Sequence, residues 1–377
     1  MFCRICHEFL RKIIDKYIIM KIFGINHPKW VVIQLLEHCN LRCRMCYEWG
    51  ETGFYHKKKE LAILEYKVIK KVITDCLPGK PYFGLFGGEP FLYPNIEDVM
   101  RLIKNGGCGL DIPTNGVLLK QYAEMIVDVQ PDRLWISLDG PVEINDEQRG
   151  KGVFNKVIQG IDALYEIRES KNYKLPKIGI TYIVTPFNYT FIEEFFLKSI
   201  DIRKIDHLSI EFQLFATEEQ YRHYLKILAN EFGVFSAPCA KAIVREPSDF
   251  AAMDFKVLAD QIRKVRSVCD EYGIYFIAYP KTIELDNIVN FFSANWSKMI
   301  DKRQKCVFPW MYAEISANGD VSVCHTYYDL VIGNINVENI LDIWEGDRLK
   351  KVRKFLKKQP YPICTACSRY YADPNKH

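Results

Sequence analysis

Apolar runs rich in β-branched and aromatic residues recur through the first two-thirds of the chain, at 31–36, 82–86, 110–113, 133–138, 177–184 and 207–212. Between them lie segments at 61–76, 96–104, 121–128, 153–168 and 191–199 whose apolar residues fall near helical spacing. Repeated strand–helix units predict parallel strands with helices outside them. Six such units give an α/β fold, a partial (β/α)6 TIM-like barrel over 31–215, with the strand C-terminal ends as the expected active face. The pattern changes after residue 215. Residues 216–300 read as a mostly helical insertion or bridge, with helices at 218–232 and 254–272 and a short strand at 274–278. Over 301–377 the pattern is a small α+β unit: strands at 310–315 and 321–325 around Asn318-Gly319, a strong turn pair, then a helix at 340–359. Residues 1–30 form an amphipathic extension, with Phe9, Leu10, Ile13, Ile14, Tyr17 and Ile18 on one side of a helix. That helix is expected to pack on the barrel, a membrane or partner surface being the other use.

Composition narrows the class. At 377 residues and 49% hydrophobic, the chain can bury a substantial core. Lys and Arg number 51 against 47 Asp and Glu, spread without a dense basic tract, so nucleic-acid binding is not indicated. The apolar segment at 9–23 is broken by Arg11, Lys12, Asp15, Lys16 and Lys21, and no run is long enough for a transmembrane span. A cytoplasmic protein is expected. Thirteen cysteines without a secretory signal point to a reducing compartment, where they serve as metal ligands, catalytic thiols or buried small hydrophobes.

Their spacing is informative. Cys39, Cys43 and Cys46 follow the first predicted strand in Glu37-His38-Cys39-Asn40-Leu41-Arg42-Cys43-Arg44-Met45-Cys46-Tyr47. Three thiolates within eight residues can converge on one metal cluster, and the lack of a fourth local ligand leaves one iron open. Zinc, which normally takes four ligands, is the second reading, and incidental buried thiols the third. The C-x3-C-x2-C spacing after a first barrel strand resembles the radical S-adenosylmethionine (radical SAM) superfamily. Met45 stands where that family commonly has an aromatic residue. The resemblance implies a [4Fe–4S] cluster whose open iron chelates S-adenosyl-L-methionine and cleaves it reductively to a 5′-deoxyadenosyl radical. It also implies cofactor contacts from Gly87, Gly88, Glu89 and Pro90 after the second strand, from Asn115 after the third, from Ser137 and Asp139 after the fourth, and from Arg149. Read without it, 87–90 is a turn, Asn115 and Asp139 are helix caps, and Arg149 is a solvated charge.

Near the other end, Cys306, Cys324, Cys364 and Cys367 supply four soft ligands, enough to saturate a cubane cluster or a zinc ion. The hairpin with a closing C-x2-C resembles the twitch form of the SPASM domain, which implies an auxiliary [4Fe–4S] cluster. Because the chain ends ten residues after Cys367, one such cluster is expected, suited to accepting or relaying an electron. Cys3 and Cys6 form a terminal pair, while Cys76, Cys108, Cys239 and Cys269 are isolated and expected to be buried thiols.

The two-cluster layout resembles a carbinol or cyclitol dehydrogenase, an oxidoreductase in which a hydroxyl-bearing carbon loses its hydrogen and the leftover electron passes to the second cluster. The resemblance also implies a reductant such as flavodoxin or ferredoxin. Modification of a ribosomally made peptide is the alternative, disfavoured by the 38 residues before Cys39, too few for a leader-binding domain. A lipid substrate rests on the N-terminal helix and the 14% aromatic content, and a non-catalytic iron–sulfur or zinc scaffold is the reading from another class. Glu211, Tyr182 and Arg245 are positional candidates for acid–base work.

Overall fold

The computed structural model describes residues 27–300 and 306–367, so the amphipathic segment at 9–18 and the Cys3/Cys6 pair lie outside the described residues. Strands β1 (Trp30–Gln34), β2 (Tyr82–Phe86), β3 (Gly109–Thr114), β4 (Arg133–Ser137), β5 (Lys177–Val184), β6 (His207–Phe212) and β7 (Tyr275–Tyr279) lie side by side in that order, each parallel to the next. Helices fill the crossovers: α1 (Tyr66–Cys76), α2 (Ile96–Asn105), α3 (Leu119–Val129), α4 (Val142–Arg149), α5 (Val153–Ser170), then α6 (Glu218–Phe232), α7 (Pro238–Ala242) and α8 (Phe255–Tyr272) before β7. This is the open barrel that the repeating pattern implies, with β7 as a seventh parallel strand.

A period of two divides each strand between two environments. Val31, Ile33, Phe83, Leu85, Leu110, Ile112, Leu134, Ile136, Ile178, Ile180, Leu208 and Ile210 are buried in the core beneath the helices. The alternate positions face the barrel interior and are mixed, with polar and aromatic side chains such as Gln34, Tyr82, Phe86, Asp111, Arg133, Trp135, Ser137, Thr181 and Glu211 among smaller apolar ones such as Val32 and Gly84. There Asp111 accepts from Arg133 Nε at 3.0 Å and Trp135 Nε1 at 3.4 Å, and Tyr82 donates to it as well, which closes the floor of the barrel.

After α9 (Leu285–Phe292) the chain adds β8 (Tyr312–Ile315), β9 (Asp320–Ser322) and β10 (Gly333–Asn334), then α10 (Ile340–Glu345) and α11 (Asp347–Lys358). Asn318-Gly319 makes the expected turn, with Gly319 at φ +85° and its N–H bonded to Ser316 O at 2.8 Å. The hairpin is not separate from the barrel, because β8 pairs in parallel with β1 and one sheet runs from β10 to β7. That pairing sets the C-terminal cysteines beside the barrel mouth.

Local differences from the sequence pattern have simple causes. Residues 61–65 are extended rather than helical, because Ile63 bridges to Leu36. The expected helix at 191–199 is one α-turn, Ile192–Glu194, followed by a π-turn over Phe195–Ser199. Extended backbone at Gly346 divides the expected helix at 340–359 into α10 and α11. Among the described residues, no helix is long and apolar enough to cross a membrane.

Candidate active site

Cys39, Cys43 and Cys46 leave the end of β1 on a loop that closes on itself. Cys46 N bonds to Cys43 O at 3.1 Å and Gly50 N to Cys46 O at 2.7 Å, which folds the segment back around the three thiols. Backbone N–H groups also donate to sulfur, from Leu41 to Cys39 Sγ at 3.4 Å and from Trp49 to Cys46 Sγ at 3.3 Å. The three thiols border one cavity of about 380 Å³ at the strand C-terminal ends. Burial pushes Cys39 up to about 11 and Cys46 up to about 12, and raises Cys43 despite Arg149 beside it. Three thiolates gathered here call for a compensating cation, and a bound iron cluster would supply it by displacing the protons. With only three thiols facing the cavity, the donor set suits a cluster with one open iron.

The residues implied as S-adenosylmethionine contacts divide into a cavity wall and a layer behind it. Gly87, Gly88, Pro90, Asn115, Ser137 and Arg149 line the cavity. Glu89 and Asp139 are fully buried behind it. The Glu89 carboxylate accepts from Thr114 Oγ1 at 2.8 Å, Asn115 N at 2.8 Å and Phe91 N at 3.1 Å, and so ties the β2 and β3 ends together. Burial nonetheless holds its pKa up at about 7. Asp139 accepts from Ile183 N at 2.8 Å and from Arg149 Nε at 2.6 Å, and it aims the guanidinium so that Nη1 lies 3.9 Å from Cys43 Sγ. Neither Asn115 nor Asp139 caps a helix; Asn115 instead donates to Asn40 Oδ1 at 2.7 Å. The two glycines have a cause beyond a ligand. A Cβ on Gly87 would sit 2.6 Å from Leu36 O and one on Gly88 2.2 Å from His38 O, where Gly88 N and Glu89 N bond to those two carbonyls at 2.9 Å. The 87–90 turn thus clamps the start of the cysteine loop.

Cys306, Cys324, Cys364 and Cys367 meet around a second cavity of about 60 Å³, walled by Tyr224 from α6, Val352 and Leu356 from α11, and Tyr361. Tyr327 N donates to Cys324 Sγ at 3.1 Å, and Thr326 Oγ1 lies 3.3 Å from Cys367 Sγ. Burial holds the Cys324 and Cys364 thiols well above their ordinary pKa, with the neighbouring cysteines adding to the shift. Among the described residues, no three His, Cys, Asp or Glu side chains come close enough to grip a single metal ion. Four thiols around an enclosed space suit a polynuclear cluster better than one zinc ion. His325 and Thr326 line both this cavity and the larger one.

The family model of the radical SAM superfamily matches residues 33–173, and that of the SPASM iron–sulfur cluster-binding domain matches residues 306–368. The chain carries a radical SAM domain and a SPASM domain. Its cofactors are therefore S-adenosylmethionine, the [4Fe–4S] cluster of the radical SAM domain and auxiliary iron–sulfur chemistry in the SPASM domain. A curated relative, the tungsten-containing aldehyde ferredoxin oxidoreductase cofactor-modifying protein of Pyrococcus furiosus, is 25% identical over 90% of this chain and 87% of its own length. Among solved structures, Streptococcus suis SuiB bound to S-adenosylmethionine has the same fold at TM-score 0.60, with 17% identity over 89% of this chain and 70% of its own. SuiB has also been solved bound to precursor peptide SuiA. anSMEcpe with bound AdoMet superposes at TM-score 0.58, with 18% identity over 88% of this chain and 83% of its own.

In this radical SAM–SPASM protein, two of the three positional acid–base candidates reach the cavity. Glu211 lines it from β6, accepting from Ser209 Oγ at 3.1 Å, and Arg245 lines it while donating to Thr52 Oγ1 at 2.9 Å. Tyr182 does not, because it sits one residue out of phase on β5: Ile183 faces the cavity, whereas Tyr182 packs on Phe195 and Phe196 and donates to Asn188 O at 2.8 Å. Cys76, Cys108, Cys239 and Cys269 are buried. The sequence reading overlooked Glu48, His325 and Thr326. Glu48 lines the cavity, accepts from Tyr328 Oη at 3.0 Å, and is pushed up to about 8 by burial. Adjacency was the available signal, since Glu48 lies two residues from Cys46 and His325 follows Cys324.

Proposed function

We propose that this radical SAM enzyme is an oxidoreductase of the carbinol or cyclitol dehydrogenase type. The observation that carries the reading is the wall of His325 and Thr326 shared by the two cysteine-lined cavities, which gives an electron leaving a substrate a short way to the second cysteine set. When bound, the first cluster with S-adenosylmethionine supplies the 5′-deoxyadenosyl radical that takes the hydrogen atom, and the second cluster supplies the acceptor for the remaining electron. The chain does the binding and the proton work. Arg149, steadied by Asp139, orients S-adenosylmethionine together with Asn115, Ser137 and the 87–90 turn. Glu211 takes the substrate hydroxyl proton, and Arg245 pairs with a polar or anionic group at the substrate's far end. Loss of one hydrogen atom, one proton and one electron converts the alcohol to a carbonyl compound. A small polar substrate is supported by the size of the cavity, which the substrate shares with S-adenosylmethionine, and by the polar side chains of Glu48, Glu211 and Arg245 in its wall.

A second reading, modification of a peptide side chain in the same cavity, is supported by the fold shared with SuiB, solved bound to a precursor peptide. The relative from Pyrococcus, a cofactor-modifying protein by name, supports a small-molecule substrate instead. The two are separated by offering reconstituted enzyme, S-adenosylmethionine and reduced flavodoxin either polyhydroxylated small molecules or peptides. Equal yields of 5′-deoxyadenosine and a small-molecule product lighter by two hydrogens are expected. Turnover confined to peptides would replace the dehydrogenase reading with the second.

A further inference from the structure

α11 has two unlike faces. Leu349, Val352 and Leu356 are buried, and the last two wall the cavity of the C-terminal cysteines. On the other side Lys350, Lys351, Lys354, Lys357 and Lys358 are exposed, and their spacing of three and four places them along one stripe. The twelve residues of the helix, Asp-Arg-Leu-Lys-Lys-Val-Arg-Lys-Phe-Leu-Lys-Lys, hold seven basic side chains and one acidic one. The acid, Asp347, is highly exposed at the first turn and pairs with Lys350 at 3.2 Å, while Lys351 donates to the Glu231 carbonyl. Among the described residues, no carboxylate pairs with Lys354, Lys357 or Lys358. Stabilisation of the helix dipole explains basic residues in the last turn only, since that effect fades within a turn, and the stripe runs the length of the helix. A merely solvated face would carry charges of both signs.

We propose that the lysine face of α11 docks a small acidic electron-transfer protein of the ferredoxin or flavodoxin class, which exchanges electrons with the cluster held on the other side of the same helix. An α-helix with its side chains is about 10 Å across, so a partner seated on the lysines lies one helix diameter from the cavity. Each encounter moves one electron, lost by one centre and gained by the other. Complementary charge speeds such encounters and fixes their orientation without requiring a large apolar interface, which suits a partner that must dissociate after each transfer. The inference rests on the reading that Cys306, Cys324, Cys364 and Cys367 hold a cluster. It adds where the electron enters or leaves the molecule.

The test uses holoenzyme whose iron content and second-cluster spectroscopic signature are measured first. If that cluster is missing, the cluster reading fails before docking is addressed. Binding of a purified acidic [2Fe–2S] ferredoxin is then titrated at low ionic strength against wild type, the triple variant K354E/K357E/K358E, the milder K354Q/K357Q/K358Q, and a control triple, K57E/K59E/K70E, whose exposed lysines lie elsewhere. The α11 reversal is expected to raise Kd by roughly tenfold or more, with the glutamine triple intermediate, the control near wild type, and the differences shrinking at high salt. Electron exchange between ferredoxin and the second cluster should slow in proportion, while reduction by dithionite is unchanged. The proposal is overturned if wild type does not bind ferredoxin, if the control weakens binding as much as the α11 reversal, or if α11 reversal has no effect. It is also overturned if anionic phosphatidylglycerol vesicles bind wild type as tightly as ferredoxin does, which would make the stripe a lipid-binding face.

Discussion

Replacing Asp139 by asparagine keeps the shape of the side chain and removes its charge. The amide oxygen can still accept from Ile183 N, as Oδ1 does at 2.8 Å, but the NH2 group then faces Arg149 Nε, which Oδ2 meets at 2.6 Å. Both members of the pair are buried, with side-chain exposures of 0% for Asp139 and 8% for Arg149. Unit charges about 4 Å apart attract by about 4 kcal/mol at an effective dielectric of about 20, and stranding one member of a buried pair costs about 3–5 kcal/mol. D139N is therefore expected to destabilise the metal-free protein by about 3–5 kcal/mol, measured by anaerobic urea unfolding followed through tryptophan fluorescence. Arg149 loses its aim, so S-adenosylmethionine affinity of the cluster-loaded variant should fall as well, read by calorimetry. Arg149→Gln and the double variant complete a cycle whose coupling should approach about 2–3 kcal/mol. A D139N stability within about 0.5 kcal/mol of wild type, or additive single effects, would refute the reasoning.

Three further expectations follow from the same geometry. Glu48 is pushed up to about 8 by burial, so its contribution to stability is full below its unfolded value near 4.5 and lost as pH climbs through about 8; E48Q, which keeps an acceptor for Tyr328, should remove a few kcal/mol of that decline at about 1.4 kcal/mol per unit, and an unchanged slope of urea midpoint against pH would contradict this. Gly88→Ala puts a Cβ 2.2 Å from His38 O, so the clamp on the cysteine loop should give by about 1–3 kcal/mol and the first site should hold less iron; iron loading and stability equal to wild type would argue against the clamp. Tyr182→Phe loses one hydrogen bond to Asn188 O on the helix side of the sheet, which should cost about 1 kcal/mol and leave 5′-deoxyadenosine release intact, whereas lost cleavage would return Tyr182 to the cavity.

Periodicity made the barrel legible, because six strands with buried alternate residues each fix their own face. β7 was read only as an isolated strand, since its pairing with β6 spans the long helical segment and is a long-range property. Parallel pairing of β8 with β1 was likewise invisible, as sequence spacing carries no register between elements so far apart. The cysteine sets were legible as groups because ligand spacing is local, whereas Gly87 and Gly88 stood out from an ordinary turn only through the family resemblance. Their clamp on Leu36 and His38 was not legible, since it depends on how closely two strand ends approach. Tyr182 and Ile183 show the limit at one-residue resolution: both fit a strand, and only the observed phase separates a cavity wall from a core position.

The most direct measurement is an iron and sulfide count after anaerobic reconstitution, paired with 5′-deoxyadenosine release on reduction, for wild type and for a variant with Cys306, Cys324, Cys364 and Cys367 all changed to alanine. Two cubane clusters place about eight irons on wild type and about four on the variant, and both should release the nucleoside from S-adenosylmethionine. Unchanged iron in the variant would contradict the second site, and a fully loaded wild type that releases no 5′-deoxyadenosine would contradict the first.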